Sequence, residues 1–79
     1  MNKGFFIISD YVYTECWDDV KIIFNHFRPT YIEFRHWEND KWYFYGESKQ
    51  FDKVVEGDKI PEYTIEILKD GRTNLNRVK

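Results

Sequence analysis

The side chains able to act as nucleophile, metal ligand or acid–base group are few and scattered in this chain of 79 residues. Cys16 is the single thiol. It falls in the first turn of an expected helix, where the helix dipole lowers a thiol pKa, but Glu15, Asp18 and Asp19 act the other way. His26 lies nearly three turns further along the same helix, out of hydrogen-bonding reach. A Cys–His nucleophile pair would therefore need His36 to be delivered by the fold. The expected role of Cys16 is a small buried core residue.

One Cys and two separated His do not have the ligand number or spacing of a zinc site. His26 is expected to complement the negative end of the helix dipole, and His36 to be partly buried. Glu15, Asp18, Asp19 and Asp10 gather carboxylates at the helix start. Such groups do acid–base chemistry only where burial drives their pKa values apart. At a helix N-terminus they are solvated and favoured by the dipole, and they can also meet a basic partner surface. Gly46, Gly57 and Gly71 are isolated, and no Lys-Ser/Thr follows them, so no phosphate cradle is encoded. No catalytic residue, cofactor or metal is expected, and the chain reads as a non-enzyme.

The informative chemistry is aromatic. Between Tyr31 and Tyr45 there are seven aromatic residues in fifteen positions. The segments Tyr31–Glu38 and Lys41–Glu47 alternate as two strands of a hairpin that turns at Asn39-Asp40, both residues that tolerate left-handed backbone geometry. Tyr31, Glu33, Arg35 and Trp37 share one face, and Ile32, Phe34 and His36 the other. Ile32 and Phe34 are expected to point into the core, with Glu33 and Arg35 in water. A two-residue turn sets Trp37 opposite Trp42; a three-residue turn sets it beside Tyr43, with Arg35 beside Tyr45. A one-residue slip exchanges the faces. The second option buries Trp42 and Phe44 and leaves tyrosine hydroxyls in water, and is preferred. The candidate partner-binding residues are thus Tyr31, Glu33, Arg35, Trp37, Tyr43 and Tyr45. Arg35 among aromatic rings either stabilises the hairpin by cross-strand packing or forms part of a contact surface. Trp, Tyr and Arg are the residue types that dominate binding hot spots.

These residues must be held by a small domain. A chain of this size buries roughly 60–65% of the surface its unfolded form exposes, and its 3 Trp, 6 Tyr and 7 Phe supply most of the core material. Gly4 to about Tyr13 reads as a central strand, with Phe5 and Ile7 on one face and Phe6 and Ile8 on the other. Thr14 to Phe27 reads as the principal helix. Thr14 is its expected cap, and Cys16, Val20, Ile23 and Phe27, widened by Trp17 and Phe24, form its apolar stripe. Pro29 stops it. Residues 48–61 fit either a short helix ended by Gly57 or an irregular segment. Tyr63–Lys69 reads as a strand with Tyr63, Ile65 and Ile67 inward. Residues 72–79 read as a loose polar tail.

The expected organisation is one α+β domain over residues 1–71, followed by that tail. Its order is β-α-β-β-(short α)-β, with the helix on one face of a mainly antiparallel four-stranded sheet. A helical 48–61 makes the order ferredoxin-like; an irregular one leaves a one-helix, four-stranded sandwich.

The net charge of −2 argues against non-specific duplex binding, which draws affinity from neutralised phosphates. The apolar run Phe5–Ile8 is too short to span a membrane and lacks a signal-peptide pattern. With one cysteine and no disulfide framework, a reduced cytoplasmic setting is expected. Phe, Tyr, Ile, Asn and Lys supply 34 of the 79 residues; their codons are AT-rich, as in low-GC bacteria and their phages.

The reading that follows is a protein-binding module, such as an inhibitor, adaptor or accessory protein acting on a host system, that uses the aromatic/Arg face. The alternative is a single-stranded nucleic-acid binder that stacks bases on the hairpin aromatics, with Arg35, Lys41, Lys49, Arg72, Arg77 and Lys79 meeting phosphates. Homodimerisation through an open sheet edge is compatible with both.

Overall fold

The polypeptide begins with a strand whose neighbours on both sides are other strands. A computed structural model describes residues 2–79. Strand β1 (Lys3–Ser9) is followed by helices α1 (Asp10–Glu15) and α2 (Trp17–Phe27), then β2 (Tyr31–Arg35), a 3-10 turn (His36–Glu38), β3 (Lys41–Glu47), β4 (Glu62–Ile67) and β5 (Thr73–Arg77). The sheet order is β2-β3-β1-β4-β5. β1 runs antiparallel to β3 and parallel to β4, and the β2–β3 and β4–β5 pairs are antiparallel. The class is the α+β single domain that the alternation indicates. The sheet, however, has five strands and is mixed, rather than four mainly antiparallel ones.

The first half is a split β-α-β unit: β1 and β2 are parallel, and β3 is inserted between them. This is the ferredoxin-like beginning. The second half departs from that fold because residues 48–61 form no helix. Without a crossover helix the chain stays at the sheet end where β1 begins. There it makes an antiparallel bridge between Asn2 and Lys53, and it enters β4 parallel to β1. Phe51 and Val54 turn inward and are buried, while Val55 is exposed. The Tyr63 hydroxyl accepts the Asp52 N–H at 2.8 Å, and the Asn2 side-chain amide donates to the Phe51 carbonyl at 2.8 Å. The expected loose tail is instead the fifth strand. Its Asn-Leu-Asn alternation pairs Leu75 with Ile65, and Leu75 packs against the core.

The helix also starts earlier than its apolar stripe suggests. Ser9, extended at φ −67° and ψ 155°, caps α1 by accepting the Val12 N–H on its hydroxyl. Strand β1 therefore ends at Ser9 rather than near Tyr13. Thr14 is not a cap: it donates its hydroxyl to the Asp10 carbonyl, the back-bonding that weakens a helix locally. Cys16, at φ −117° and ψ 58°, interrupts the helix. It is half-buried rather than a core residue. Val20, Ile23 and Phe27 form the buried stripe, and Trp17 stands in solvent. Arg28 ends α2 in the left-handed region at φ 40°.

The core is a chain of rings on the helix-covered, inner face of the sheet. Phe44 stacks on Phe6 (5.3 Å), Phe6 meets Phe27 (5.4 Å), Phe27 stacks on Phe51 (5.3 Å), and Phe51 stacks on Tyr63 (5.0 Å). Two glycines make this possible. Gly4 and Gly46 are cross-strand partners. A Cβ on Gly46 would sit 2.7 Å from the Phe27 carbonyl oxygen, and one on Gly4 would sit 2.7 Å from the Tyr63 ring. Their bare backbone lets the end of α2 and the Tyr63 ring lie directly on the sheet.

Candidate functional site

The helices cover the inner face, so the opposite, outer face carries the alternate side chains of every strand. Cross-strand pairing arranges them in rows. Tyr31, Tyr45, Phe5 and Glu62 form one row, and Glu33, Tyr43, Ile7 and Thr64 the next. The half of this face on β2, β3 and β1 has Tyr31, Tyr45, Phe5, Tyr43 and Ile7 at its centre, with Lys3, Glu33, Arg35, Lys41 and Glu47 around them. The half on β4 and β5 carries Glu62, Thr64, Glu66, Asn74 and Asn76. Phe5 meets Tyr45 edge-on at 5.5 Å.

The hairpin register is neither of the two expected. Arg35 pairs with Lys41 and Tyr31 with Tyr45, leaving residues 36–40 as the connection. The first strand ends at Arg35, and His36–Glu38 form the 3-10 turn. Asn39 (φ 60°) and Asp40 (φ 52°) adopt the left-handed conformation. This register keeps Tyr43 and Tyr45 on the face of Glu33 and Arg35, with Trp42 and Phe44 on the other.

The cause of the long connection is a polar cluster. Tyr43 donates its hydroxyl to Glu38. Arg35 donates its Nε to Glu33 at 2.6 Å and approaches Glu38 through a terminal nitrogen at 3.4 Å. Its guanidinium lies 3.9 Å from the centre of the Tyr43 ring. Glu38 can reach both partners only if the chain turns back at His36. Burial of the Tyr43 hydroxyl, and then its bond to the Glu38 carboxylate, push its pKa up to about 12. The bond from Tyr43, with the nearby Arg35 charge, holds the Glu38 carboxyl below its usual range. Burial works against the Arg35 charge, but the bond to Glu33 together with the Glu33 and Glu38 charges outweighs it, so the Arg35 pKa is raised.

The six expected contact residues therefore divide. Glu33, Arg35 and Tyr43 come together, but they bind one another and the unforeseen Glu38. Tyr43 is only 4% exposed, so its hydroxyl is not in water as expected. Tyr31 and Tyr45 are cross-strand neighbours, with Tyr31 exposed and Tyr45 half-buried. Trp37 is not on a strand at all. It is 63% exposed on the 3-10 turn, edge-on to His36, which is exposed rather than partly buried. Phe5 and Ile7 belong to the same surface and were not foreseen. Their alternation was legible, but the adjacency of β1 and β3 was not.

A second correction concerns Ile32 and Phe34. They point to the inner face, as expected of core residues, yet are 45% and 38% exposed. The helices cover β1, β3 and β4 but do not reach the edge strand β2. The gap between helix and edge is an apolar recess of about 330 Å³, lined by Tyr13, Phe24, Pro29, Ile32 and Phe44 among others.

The candidate chemistry groups are dispersed. Asp10 leaves the acidic helix end and accepts the Trp42 indole N–H at 2.9 Å. His26 sits 3.3 Å from the Thr73 hydroxyl on β5. Among the described residues, no group of three or more His, Cys, Asp and Glu is arranged to hold a metal ion, and no helix is long and apolar enough to cross a membrane. No protein-family model, curated protein or solved structure matches this chain.

Proposed function

We propose that this protein is a small non-enzymatic protein-binding module, an inhibitor, adaptor or accessory protein, that docks a protein partner on its outer sheet face. The observation that carries the reading is the apolar row Tyr31–Tyr45–Phe5 with the adjoining Ile7, lying on the face away from both helices. Tyr31 is exposed, and Tyr45, Phe5 and Ile7 are half-buried beside it; an apolar patch rimmed by polar side chains is one mark of a protein contact. The Glu33–Arg35–Glu38–Tyr43 cluster acts beside it as a scaffold that fixes the β2–β3 connection. The contact residues proper are then Tyr31, Tyr45, Phe5 and Ile7, with Trp37 at the margin. The richness in Phe, Tyr, Ile, Asn and Lys, whose codons are AT-rich, fits a low-GC bacterium or its phage, in whose host cytoplasm the module would act.

Single-stranded nucleic acid fits this face less well. Glu33, Glu38, Glu47, Glu62 and Glu66 surround the rings on the same face, and Arg35 is already held by two of them. Lys3 and Lys41 also lie on this face, but the five carboxylates outnumber the cations, so a phosphate backbone tracking the rings would meet more repulsion than attraction.

Affinity capture from bacterial lysate, with and without nuclease, tests the reading. The expected result is a protein retained after nuclease treatment and lost when Tyr31→Ala and Tyr45→Ser are combined, with the urea midpoint showing that the variant is folded. Capture that disappears with nuclease would transfer the face to the nucleic-acid reading. Undiminished capture by the folded double variant would remove the face as the site.

A further inference from the structure

The two edges of the sheet are unlike. β5 presents Thr-Asn-Leu-Asn-Arg, whose one apolar residue is already packed on the core. β2 presents Tyr-Ile-Glu-Phe-Arg with no Pro, Gly or Lys to discourage pairing, although exposed edges are normally blunted in such ways. Its main chain is turned outward at the apolar positions. The Asp10 N–H donates to the Asp40 carbonyl at 3.0 Å, which continues the β1–β3 register beyond Ser9 and Lys41. Even-numbered residues of β3 therefore bond to β1, and odd-numbered ones bond to β2. The Tyr45 carbonyl points to β2 accordingly, accepting the N–H of Thr30 at 2.9 Å from the bend just before the strand. On β2, the backbone of Glu33 accordingly faces β3, and the N–H and C=O groups of Ile32 and Phe34 face the open edge.

We infer that β2 is a contact edge for a second copy of this chain, paired antiparallel about Phe34 so that two sheets join into one. The charge pattern selects both the occupant and the register. Glu33 and Arg35 flank Phe34 symmetrically. An antiparallel copy centred on Phe34 hydrogen-bonds Phe34 to its own equivalent. It also sets Glu33, already paired with its own Arg35 at 2.6 Å, opposite Arg35 of the other copy twice, so that the two ion pairs join in the closely spaced non-hydrogen-bonded positions where opposite charges stabilise a pair. Centring on Glu33 instead would oppose two carboxylates, and centring on Ile32 would leave both charges unmatched. In the favoured register the Ile32 and Phe34 side chains of both copies meet over the inner-face recess, and the exposed Trp37 turn falls beside Tyr31 of the other copy.

The area is also appropriate. Tyr31, Ile32, Phe34 and Trp37 are 54, 45, 38 and 63% exposed, which leaves roughly 400 Å² of side-chain surface per copy. Two copies with their main-chain edges and polar rims therefore reach the roughly 1,000 Å² expected of a specific interface. The dimer takes Tyr31 and Trp37 from the proposed docking face, but it needs no other protein, so the pure chain tests it separately from that reading. The two-fold leaves both Tyr45–Phe5–Ile7 patches open on one side of the joined sheet.

Sedimentation of the full chain at loadings rising to the millimolar range tests it. The expected species has twice the 9.8 kDa chain mass. Phe34→Lys, at an exposed position, should abolish the dimer while leaving circular dichroism unchanged. Glu33→Arg and Arg35→Glu should each be monomeric alone, since each opposes like charges, and an equimolar mixture of the two should recover a heterodimer. A wild-type chain that stays monomeric at every loading overturns the inference. So does a dimer that survives Phe34→Lys, or a mixture of folded charge variants that associates no better than either alone. If the charge variants fail to fold, the comparison of wild type with Phe34→Lys decides.

Discussion

Replacing Tyr43 by Phe removes one oxygen from the cluster that fastens the β2–β3 connection, and its effect should depend on pH in a defined direction. At neutral pH the variant loses the bond to Glu38, a charge-assisted hydrogen bond whose net worth is about 1.5–3 kcal/mol when shielded. Glu38 is reached by solvent and keeps its contact with Arg35, so a cost of about 1–2 kcal/mol is expected. In the folded wild type the Tyr43 pKa is raised from 10.0 to about 12, first by burial and then by Glu38. A raised tyrosine pKa means that the folded state holds the proton more tightly than the unfolded state. The stabilisation is complete below the unfolded pKa and is lost as pH rises through the folded one. Two units correspond to about 2.7 kcal/mol, and solvent around the partners trims this to about 1–2 kcal/mol. The wild type should therefore be more stable than Tyr43→Phe near pH 8, and the gap should close as pH approaches 12. The assay is urea unfolding followed by tryptophan fluorescence across that range. Tyr63, whose pKa burial also raises, is present in both proteins and cancels in the difference. A gap that stays constant, or widens with pH, would refute the assignment of Tyr43 as a buried donor to Glu38.

Three further outcomes follow from the packing. Gly46→Ala should destabilise the domain by about 1–3 kcal/mol in chemical unfolding, because its Cβ would press on the Phe27 carbonyl, a main-chain atom with little freedom to withdraw. Phe51→Ala should cost about 3–5 kcal/mol, whereas exposed Val55→Ala should shift the unfolding free energy by no more than about 0.5 kcal/mol. Equal effects at these two positions would contradict the irregular course of residues 48–61. Leu75→Asp should lower the thermal midpoint strongly, since Leu75 packs on the core from β5; a loose tail would tolerate it.

What could be read in advance depended on whether a feature was local. The alternation of Phe5 to Ile8 and the stripe Val20, Ile23, Phe27 each have one period and one interpretation, and both elements are present. Asn39 and Asp40 were recognisable as left-handed turn residues. Registers were not legible, because the position at which β2 stops is decided by Glu38 reaching Arg35 and Tyr43, a three-body contact that no periodicity encodes. Ser9 as a helix cap was hidden by the apolar alternation that continues through Tyr11 and Tyr13. The strand at 73–77 was missed because one Leu among Asn and Arg gives almost no hydrophobic signal; its stability comes from pairing with β4. On the contact face, Tyr31 and Tyr45 could be found from the sequence. Phe5 and Ile7 needed the strand order, and Ile32 and Phe34 were misread because the reach of the helices over β2 is a property of the assembled sheet.

Docking of a protein on the β2-β3-β1 half of the outer face can be trapped by site-directed photocrosslinking. A benzoylphenylalanine in place of Tyr45, compared with one in place of Asn74 on the polar half of the same face, is irradiated in bacterial lysate treated with nuclease. A discrete protein adduct is expected from position 45 and none from position 74. An adduct from position 74 alone, or no protein adduct from position 45, would contradict it.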